Sequence, residues 1–310
     1  DAYGKGPREQ NMSTPVASAN RPVREVGPKQ ASALYAGRLR RNRIGLSLSM
    51  LAMALCLVAL FWILGVLLYK GFDAISWSMF VESTPAPGSA GGLANAILGS
   101  LLLVAVSALV STPIGILAGI YLSEYGSATR FGSVTRFVTD IMLSAPSIVI
   151  GLFVYALVVA PMGYFSGWAG SIALALIALP VVVRTTENML RLVPAPLREA
   201  ATALGAPKWR VSMSVVLRAS SSGVITGILL AVARVSGETA PLLFTALSNQ
   251  FMSSDMSQPM ASLPVVIYQF AMSPYEDWVS LAWGGALLVT FAVLTLNVIA
   301  RVVFRDKSKA

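Results

Sequence analysis

The sequence contains no histidine and a single cysteine, and charged residues make up only 12% of its 310 residues. The missing histidine excludes Ser-His-Asp and Cys-His catalysis and histidine-ligated zinc, and one cysteine excludes an internal disulfide. A soluble domain carries roughly twice this share of charge. We therefore expect no catalytic or metal site. Cys56, inside the first apolar run, is interpreted as a small lipid-facing or core residue rather than a functional thiol.

Hydrophobic residues, by contrast, make up 55% of the chain and are gathered in long runs that contain few charges or none. A helix that crosses about 30 Å of hydrocarbon needs roughly 20 residues, and six runs are near that length. The sequence therefore predicts an all-α integral membrane protein with about six transmembrane helices. The runs lie at residues 44–69, 93–122, 137–161, 168–190, 219–246 and 280–303.

The basic residues alternate between the segments that connect these runs. Lysine and arginine are concentrated before the first run, at 123–136, at 184–218 and in the tail, whereas the charges of 247–279 are all acidic. This is the positive-inside pattern with both termini cytoplasmic, and it requires an even number of spans. The net charge of +9 is thus explained by topology, and we expect membrane lipids rather than nucleic acid around the protein.

The remaining segments complete the predicted domain organisation. Residues 12–37 are rich in Pro, Ser, Ala, Gly and Arg, a composition typical of disorder. Met12 opens a Met-Ser-Thr-Pro stretch typical of a natural start, so residues 1–11 are left out of the fold prediction. The predicted organisation is a disordered cytoplasmic segment at 1–37, a transmembrane domain at 38–305 and a cytoplasmic tail at 306–310.

The loop at about 191–218, between the fourth and fifth runs, is the most informative one. Pro196 can begin a short helix, Gly205 suits a left-handed helix end, and Pro207 can start a second helix. The sequence thus predicts an exposed elbow over 196–213. Its apolar face has nothing within the loop to pack against, which indicates a partner protein; the alternative is an ordinary amphipathic loop helix. The face consists of Leu197, Ala200, Ala201 and Leu204.

An arginine and a glutamate lie within the fifth apolar run. Arg234 and Glu238 are four residues apart, so they share a helix face and can neutralise each other. Pro241 favours a break in this helix, and Gly237 allows a close approach. A charge at mid-bilayer costs roughly 2.5–3.5 kcal/mol and normally faces a wet path or the protein interior. The pair is either part of a substrate pathway or a structural ion pair that holds helices together.

Arg184 forms a similar polar face in the fourth run, with Glu187 and Asn188 on the next turn. Its side chain either lines the pathway or extends to the membrane boundary. Guanidinium presents a planar fork of donors that matches tetrahedral oxyanions, whereas a path for cations would need carboxylates and carbonyls. The intramembrane arginines therefore favour an oxyanion as the substrate.

Several motifs resemble those of a known family. Glu199-Ala200-Ala201 followed by Gly205 is similar to the coupling motif of ABC importer permeases, although Arg218 stands where that motif usually has proline. Three further motifs are more specific and resemble signatures of the PstA-type permeases of bacterial phosphate import. The resemblance covers nearly everything from the first span to residue 305. The three motifs are Leu179-Pro-Val-Val-Val-Arg184, Gly237-Glu-Thr-Ala-Pro241 and Trp283-Gly-Gly-Ala.

The resemblance implies a MetI-like ABC importer permease fold and a non-enzymatic subunit of a phosphate importer in the bacterial inner membrane. The implied partners are a homologous PstC-like permease, two PstB-like ATPase subunits and a PstS-like phosphate-binding protein. No cofactor is expected, because ATP would be bound by the partner subunits. The residues implied in ATPase coupling are Glu199, Ala200, Ala201 and Gly205. The substrate-pathway residues, predicted from the charges within the fourth and fifth runs, are Arg184, Arg234, Glu238 and Thr239.

Two other classes of function remain open on the residues alone. A secondary anion transporter would leave the elbow at 196–213 without a partner, and halves with inverted hydropathy symmetry would favour it. An intramembrane enzyme is disfavoured, because the sequence has no histidine and no clustered intramembrane carboxylates. The chain has no Gly-rich Lys-Ser/Thr phosphate loop, so ATP chemistry would have to come from elsewhere. Without the resemblance, phosphate is not separated from sulfate or molybdate.

Overall fold

The structure is a computed structural model that describes residues 28–303, except for the side chains of 28–34, 36, 300, 301 and 303. This part of the chain consists of helices, turns and loops, and no strand occurs within it. The predicted all-α fold is therefore confirmed. The predicted tail at 306–310 and the predicted disorder of residues 1–27 lie outside the described residues.

The first helix begins earlier than the sequence predicts. α1 (Pro28–Ala74) includes residues 28–37, for which the composition predicted disorder. Proline is tolerated in the first turn of a helix, and the Lys, Gln, Ala and Leu residues that follow it are good helix formers that continue into the apolar run. The prediction of disorder is therefore wrong for this stretch.

Thirteen further helices follow α1 in the described residues, with three π-helical turns between them. They are α2 (Ser78–Val81), α3 (Ala94–Ile120), α4 (Arg130–Ser144), α5 (Ser147–Val154), α6 (Ala160–Met162), α7 (Gly167–Arg191), α8 (Ala195–Ala203), α9 (Lys208–Arg210), α10 (Leu217–Ala219), α11 (Ser221–Val235), α12 (Ala240–Leu243), α13 (Leu263–Ala271) and α14 (Glu276–Val303), with π-helical turns at Tyr121–Tyr125, Tyr155–Val159 and Val211–Val216.

Within residues 28–303, four helices are long and apolar enough to cross a membrane, and they correspond to the first, second, fourth and sixth predicted runs. Two bent helix pairs correspond to the third and fifth runs, so counting each pair as one span gives the predicted six. The four unbroken helices are Gly37–Ala74, Ala94–Tyr125, Gly167–Arg191 and Glu276–Ile299.

The third and fifth runs differ from straight spans. The chain bends by 106° between the helices Arg130–Ser144 and Ser147–Met162. It bends by 73° between Lys208–Ala219 and Ser221–Val235. The first bend falls at Pro146, which lacks an N–H and pushes the residue before it into the extended conformation, with ψ at 135°. Each run is therefore a broken span or a re-entrant segment.

The predicted break near Pro241 is confirmed. α11 ends at Val235, and Pro241 lies in the first turn of α12, where its missing N–H removes no helical hydrogen bond. Gly237 lies in the unwound stretch between the two helices. The close approach expected there does not occur, because a Cβ on Gly237 would meet only the Arg234 carbonyl, at 3.8 Å.

The chain divides into two units, Asp1–Phe61 and Trp62–Ala310. In the first unit, α1 has exposed apolar side chains, among them Leu51 at 57% and Phe61 at 65%, and Cys56 is exposed as well. Exposed apolar side chains on so long a helix suit contact with lipid or with another membrane helix. The second unit holds the buried core.

Glycines of α3 allow this helix to lie close against α7 in the second unit. A Cβ on Gly115 would lie 2.7 Å from Val182 Cγ1, and one on Gly119 would lie 2.6 Å from Thr186 Cβ. Both pairs advance by one helical turn in the same direction, so α3 and α7 run parallel. Small residues are the usual means of close helix approach in membranes.

Glycines of α11 make the same kind of contact with the other side of α7. Gly223 packs against Met189, and Gly227 packs against Thr185. Here the contacting residue numbers fall along α7 as they rise along α11, so these two helices are antiparallel. The alternation of parallel and antiparallel neighbours is the one expected when α3, α7 and α11 are the second, fourth and fifth spans.

Candidate functional site

The elbow predicted between the fourth and fifth runs is present as α8 and α9. α8 ends in a Schellman motif: Gly205 N–H donates to Thr202 O at 2.9 Å, and Ala206 N–H donates to Ala201 O at 3.3 Å. Gly205 has φ +81°, a left-handed conformation that L side chains rarely adopt. Pro207 then precedes α9 directly. The local geometry predicted for this loop is confirmed.

The apolar face of α8 lies largely on the protein surface. Leu204 is 89% exposed and Leu197 is 42% exposed, and Ala200 and Glu199 are exposed as well. Ala201 is half-buried and packs against an apolar cluster of the core. Of the coupling residues predicted from the sequence, Glu199, Ala200 and Gly205 are therefore exposed and Ala201 is not. A large apolar side chain as exposed as Leu204 suits contact with a partner.

Arg184 lies on α7 and forms ion pairs with two carboxylates. Its Nη2 pairs with Asp140 of α4, and its Nη1 is 3.9 Å from Glu187 Oε2. The Arg184 side chain is 36% exposed and that of Asp140 is 52% exposed. Arg184 is therefore partly neutralised at the surface of the chain, and the prediction that it lines a pathway stays a prediction.

Glu187 is the buried centre of this charge cluster. Its side chain is 2% exposed, and its Oε1 accepts hydrogen bonds from Arg136 Nε at 2.7 Å and from Arg191 Nη2 at 2.6 Å. With Arg184, three guanidinium groups surround one carboxylate. A buried charge persists only when it is paired and hydrogen-bonded, and the Glu187 carboxylate meets this condition through the two hydrogen bonds to its Oε1.

Arg234 and Glu238 lie where α11 ends and the chain unwinds. Arg234 is in the last turn of the helix, where a cation is favoured by the helix dipole. Its Nε is 4.0 Å from Glu238 Oε1, and the two side chains are 51% and 16% exposed. Thr239 follows at the start of α12. The three predicted residues thus come together at one break, and the guanidinium makes no hydrogen bond within the described residues.

The two arginines predicted for the pathway lie at different levels. Gly227 faces Thr185, which places Arg184 near the middle of α11. Val235, next to Arg234, belongs to the same buried cluster as Ala178. Ala178 and Arg184 are six residues apart on α7, which at a rise of 1.5 Å per residue separates them by about 9 Å along the helix axis. Arg184 and Arg234 are therefore staggered along the α7–α11 pair.

Four charged residues of the site were not assigned a role from the sequence: Glu124, Arg136, Asp140 and Arg198. The available signal was their position at the ends of apolar segments, where charge is expected in any case. Their partners are distant in sequence and were therefore not predictable. No group of three or more His, Cys, Asp or Glu side chains suited to a metal occurs in residues 28–303.

Residues 111–306 match the family described as the binding-protein-dependent transport system inner membrane component. A relative in Yersinia pestis, named phosphate transport system permease protein PstA, is 59% identical over 273 residues, which cover 88% of this chain and 92% of the relative. A protein of the same name in Pasteurella multocida is 58% identical over 272 residues, with 88% and 97% coverage. Both matches therefore cover most of this chain and most of each relative.

A solved structure of the MetNI methionine ABC transporter in an inward-facing conformation has a similar fold. Its TM-score is 0.58 at 18% identity, and the match covers 69% of this chain and 94% of that chain. The predicted MetI-like fold is therefore confirmed. With its helices long enough to span a membrane, the protein is a multi-span protein of the bacterial inner membrane. The chain belongs to the binding-protein-dependent transport permeases and, within them, to the PstA family of phosphate transport system permease proteins.

Proposed function

We propose that this chain is the permease subunit of an ATP-driven importer of inorganic phosphate. The observation that carries the proposal is the exposed elbow of α8 and α9, with its left-handed Gly205, in a chain of the PstA family. An exposed apolar elbow is suited to binding a partner protein. Because the chain has no phosphate loop of its own, ATP would be bound by such a partner. The partners would be a homologous PstC-like permease, two PstB-like ATPase subunits and a PstS-like phosphate-binding protein.

The proposed orientation places both termini and the elbow in the cytoplasm. The parallel packing of α3 and α7 and the antiparallel packing of α11 support six consecutive spans, and they fit either orientation of the chain in the membrane. The concentration of basic residues in the elbow supports the cytoplasmic side, because lysine and arginine are retained in the cytoplasm. The transmembrane domain then presents its coupling loop, about 191–218, to the ATPase.

The proposed pathway residues are Arg184, Arg234, Glu238 and Thr239. Arg234 is the strongest candidate, because its half-exposed guanidinium has, among the residues that the structure describes, only one carboxylate nearby, at 4.0 Å. Donors that are free of protein partners can bind the oxygens of a phosphate, and a break in a helix is a common place for a substrate in membrane transporters. Arg184 is more fully neutralised, so a secondary role at another level of the pathway is proposed for it.

The proposed function is tested by reconstitution. The permease is purified with the homologous permease, the ATPase and the binding protein, and placed in liposomes with ATP on the ATPase side and labelled phosphate on the other. We expect uptake that requires both ATP and the binding protein, and little competition from sulfate or molybdate. Uptake driven by an ion gradient without the ATPase would instead identify a secondary transporter, and equal competition by sulfate would refute phosphate selectivity.

The elbow is tested with a pair of matched glycines. Gly205→Val places a β-branched side chain at φ +81° in open space, and Gly163→Val does the same at φ +77° in a turn after α6. The local strain is similar, roughly 1–2 kcal/mol, but only Gly205 is in the elbow. We expect the Gly205 variant to lose ATPase binding and uptake while the Gly163 variant keeps both. Equal behaviour of the two variants would exclude the elbow as the coupling element.

The pathway role of Arg234 is tested against a structural ion pair. Arg234→Lys keeps the charge and loses the bidentate fork, so uptake should fall sharply while the permease pair assembles. The double change Arg234→Gln with Glu238→Gln removes both charges and should also assemble without transport. A double variant that assembles and transports phosphate normally would show that the pair only stabilises the helices.

A further inference from the structure

The guanidinium of Arg198, on α8, joins three separate elements. Its Nη2 donates to Glu124 Oε1 at 3.1 Å and to Leu190 O at 2.7 Å, and its Nη1 donates to Val193 O. Glu124 lies in the π-helical turn that continues α3, whereas Leu190 lies in the last turn of α7 and Val193 lies just beyond its end. The side chains of Arg198 and Glu124 are 27% and 7% exposed. One side chain of the elbow thus binds the ends of both α3 and α7.

Arg136 of α4 makes the complementary set of bonds. Its Nη2 donates to Leu122 O at 2.7 Å and its Nη1 to Gly126 O at 3.3 Å, both at the end of α3. Its Nε pairs with Glu187 of α7 at 2.7 Å. Each arginine therefore caps the carbonyls of one helix and neutralises a carboxylate of the other. The last carbonyls of a helix have no partner within the helix and carry partial negative charge, which explains why cations are placed there.

The second limb of the elbow also contacts the end of α3. The Nζ of Lys208, at the start of α9, lies 4.6 Å from the centroid of the Tyr125 ring. Tyr125 follows Glu124 directly, so two adjacent residues at the end of α3 hold both limbs of the elbow. A cation over an aromatic face adds an attraction that is independent of the ion pair.

The covalent link from α7 to α8 is only three residues long. It consists of Leu192, Val193 and Pro194, and Leu192 is 73% exposed. Rotation about these few residues would let α8 swing without moving the membrane helices. The bonds of Arg198 to Glu124 and Leu190 oppose such a swing, because they connect α8 to points on α3 and α7 that lie outside the link.

We propose, on the basis of the proposed function, that Arg198 is a positioning residue that couples the elbow to the membrane helices. With Arg198 in place, α8 and the ends of α3 and α7 move as one body when the ATPase displaces the elbow. Without it, the elbow follows the ATPase while α3 and α7 lag behind. The expected defect is therefore poor conversion of ATP hydrolysis into phosphate uptake, rather than loss of the ATPase or of the fold.

The test uses the full complex in proteoliposomes, with Arg198→Gln, Glu124→Gln and the double variant. Three quantities are measured: the amount of assembled complex, the rate of ATP hydrolysis and the phosphate taken up per ATP hydrolysed. We expect either single change to lower the phosphate-to-ATP ratio by roughly twofold to thirtyfold, the range of energetic coupling through side-chain networks. The double variant should be no worse than Arg198→Gln alone, because both changes remove the same ion pair.

Arg130→Gln serves as the control, since Arg130 begins α4 near the same end of α3 and its side chain forms no ion pair or hydrogen bond within the described residues. The phosphate-to-ATP ratio of the Arg130→Gln complex should equal that of the native complex. A merely structural role for Arg198 would lower assembly, hydrolysis and uptake together and leave the ratio unchanged, which would overturn the proposal. If the Arg198→Gln complex fails to assemble, the Glu124→Gln complex tests the proposal instead, because that change leaves the bonds of Arg198 to the carbonyls of Leu190 and Val193 in place. A native complex without ATP-dependent uptake would refute the proposed function itself.

Discussion

The buried carboxylate of Glu187 allows a quantitative prediction about how the site is held together. Its Oε1 lies 2.7 Å from Arg136 Nε and 2.6 Å from Arg191 Nη2, and the Glu187 side chain is 2% exposed. Glu187→Gln keeps the shape and removes the charge, so the guanidinium of Arg136, itself 20% exposed, loses its counter-ion. Removing one partner of a buried pair costs roughly 3–5 kcal/mol in soluble proteins. At roughly 2–4 °C per kcal/mol, we expect Tm to fall by about 6–20 °C.

Asp140→Asn is the matched control for this change. It also converts a carboxylate to an amide and also removes an arginine's partner, but Asp140 is 52% exposed and Arg184 is 36% exposed. Exposed ion pairs contribute about 0–1 kcal/mol, so the expected decrease in Tm is only about 0–4 °C. The measurement is thermal unfolding of the purified permeases in one detergent, followed by tryptophan fluorescence. Equal decreases for the two variants, or an unchanged Tm for Glu187→Gln, would refute the reasoning.

Two further predictions concern packing and topology. Gly227→Leu should destabilise the permease by roughly 1–3 kcal/mol, because the new side chain clashes with α7. The control Gly45→Leu meets no neighbour and should not change Tm. Equal Tm values for the two variants would contradict the close packing of α11 on α7. In a Cys56→Ala background, an impermeant thiol reagent added to intact cells should label Ser254→Cys but not Thr202→Cys, and the reverse result would invert the proposed topology.

Features that depend on neighbours in sequence were predicted correctly. The left-handed Gly205 follows from the need to end α8 before Pro207, and the break before Pro241 follows from its missing N–H. Arg234 and Glu238 were placed together because residues four apart share a helix face. The early start of α1 at Pro28 is the exception, since composition favours disorder there while local helix propensity and the adjoining apolar run favour a helix.

Hydropathy, turn chemistry and short motifs are local properties, so the fold class, the number of apolar segments, the elbow and the family could be predicted from the amino-acid sequence. How the segments meet is visible only in the folded chain. The bonds of Glu187 to Arg136 and of Arg198 to Glu124 join residues 51 and 74 positions apart, and the 106° bend at Pro146 has an angle that proline alone does not determine. The physical reason is that contacts within a helix follow from its geometry, whereas contacts between helices depend on the register in which their glycines allow them to pack.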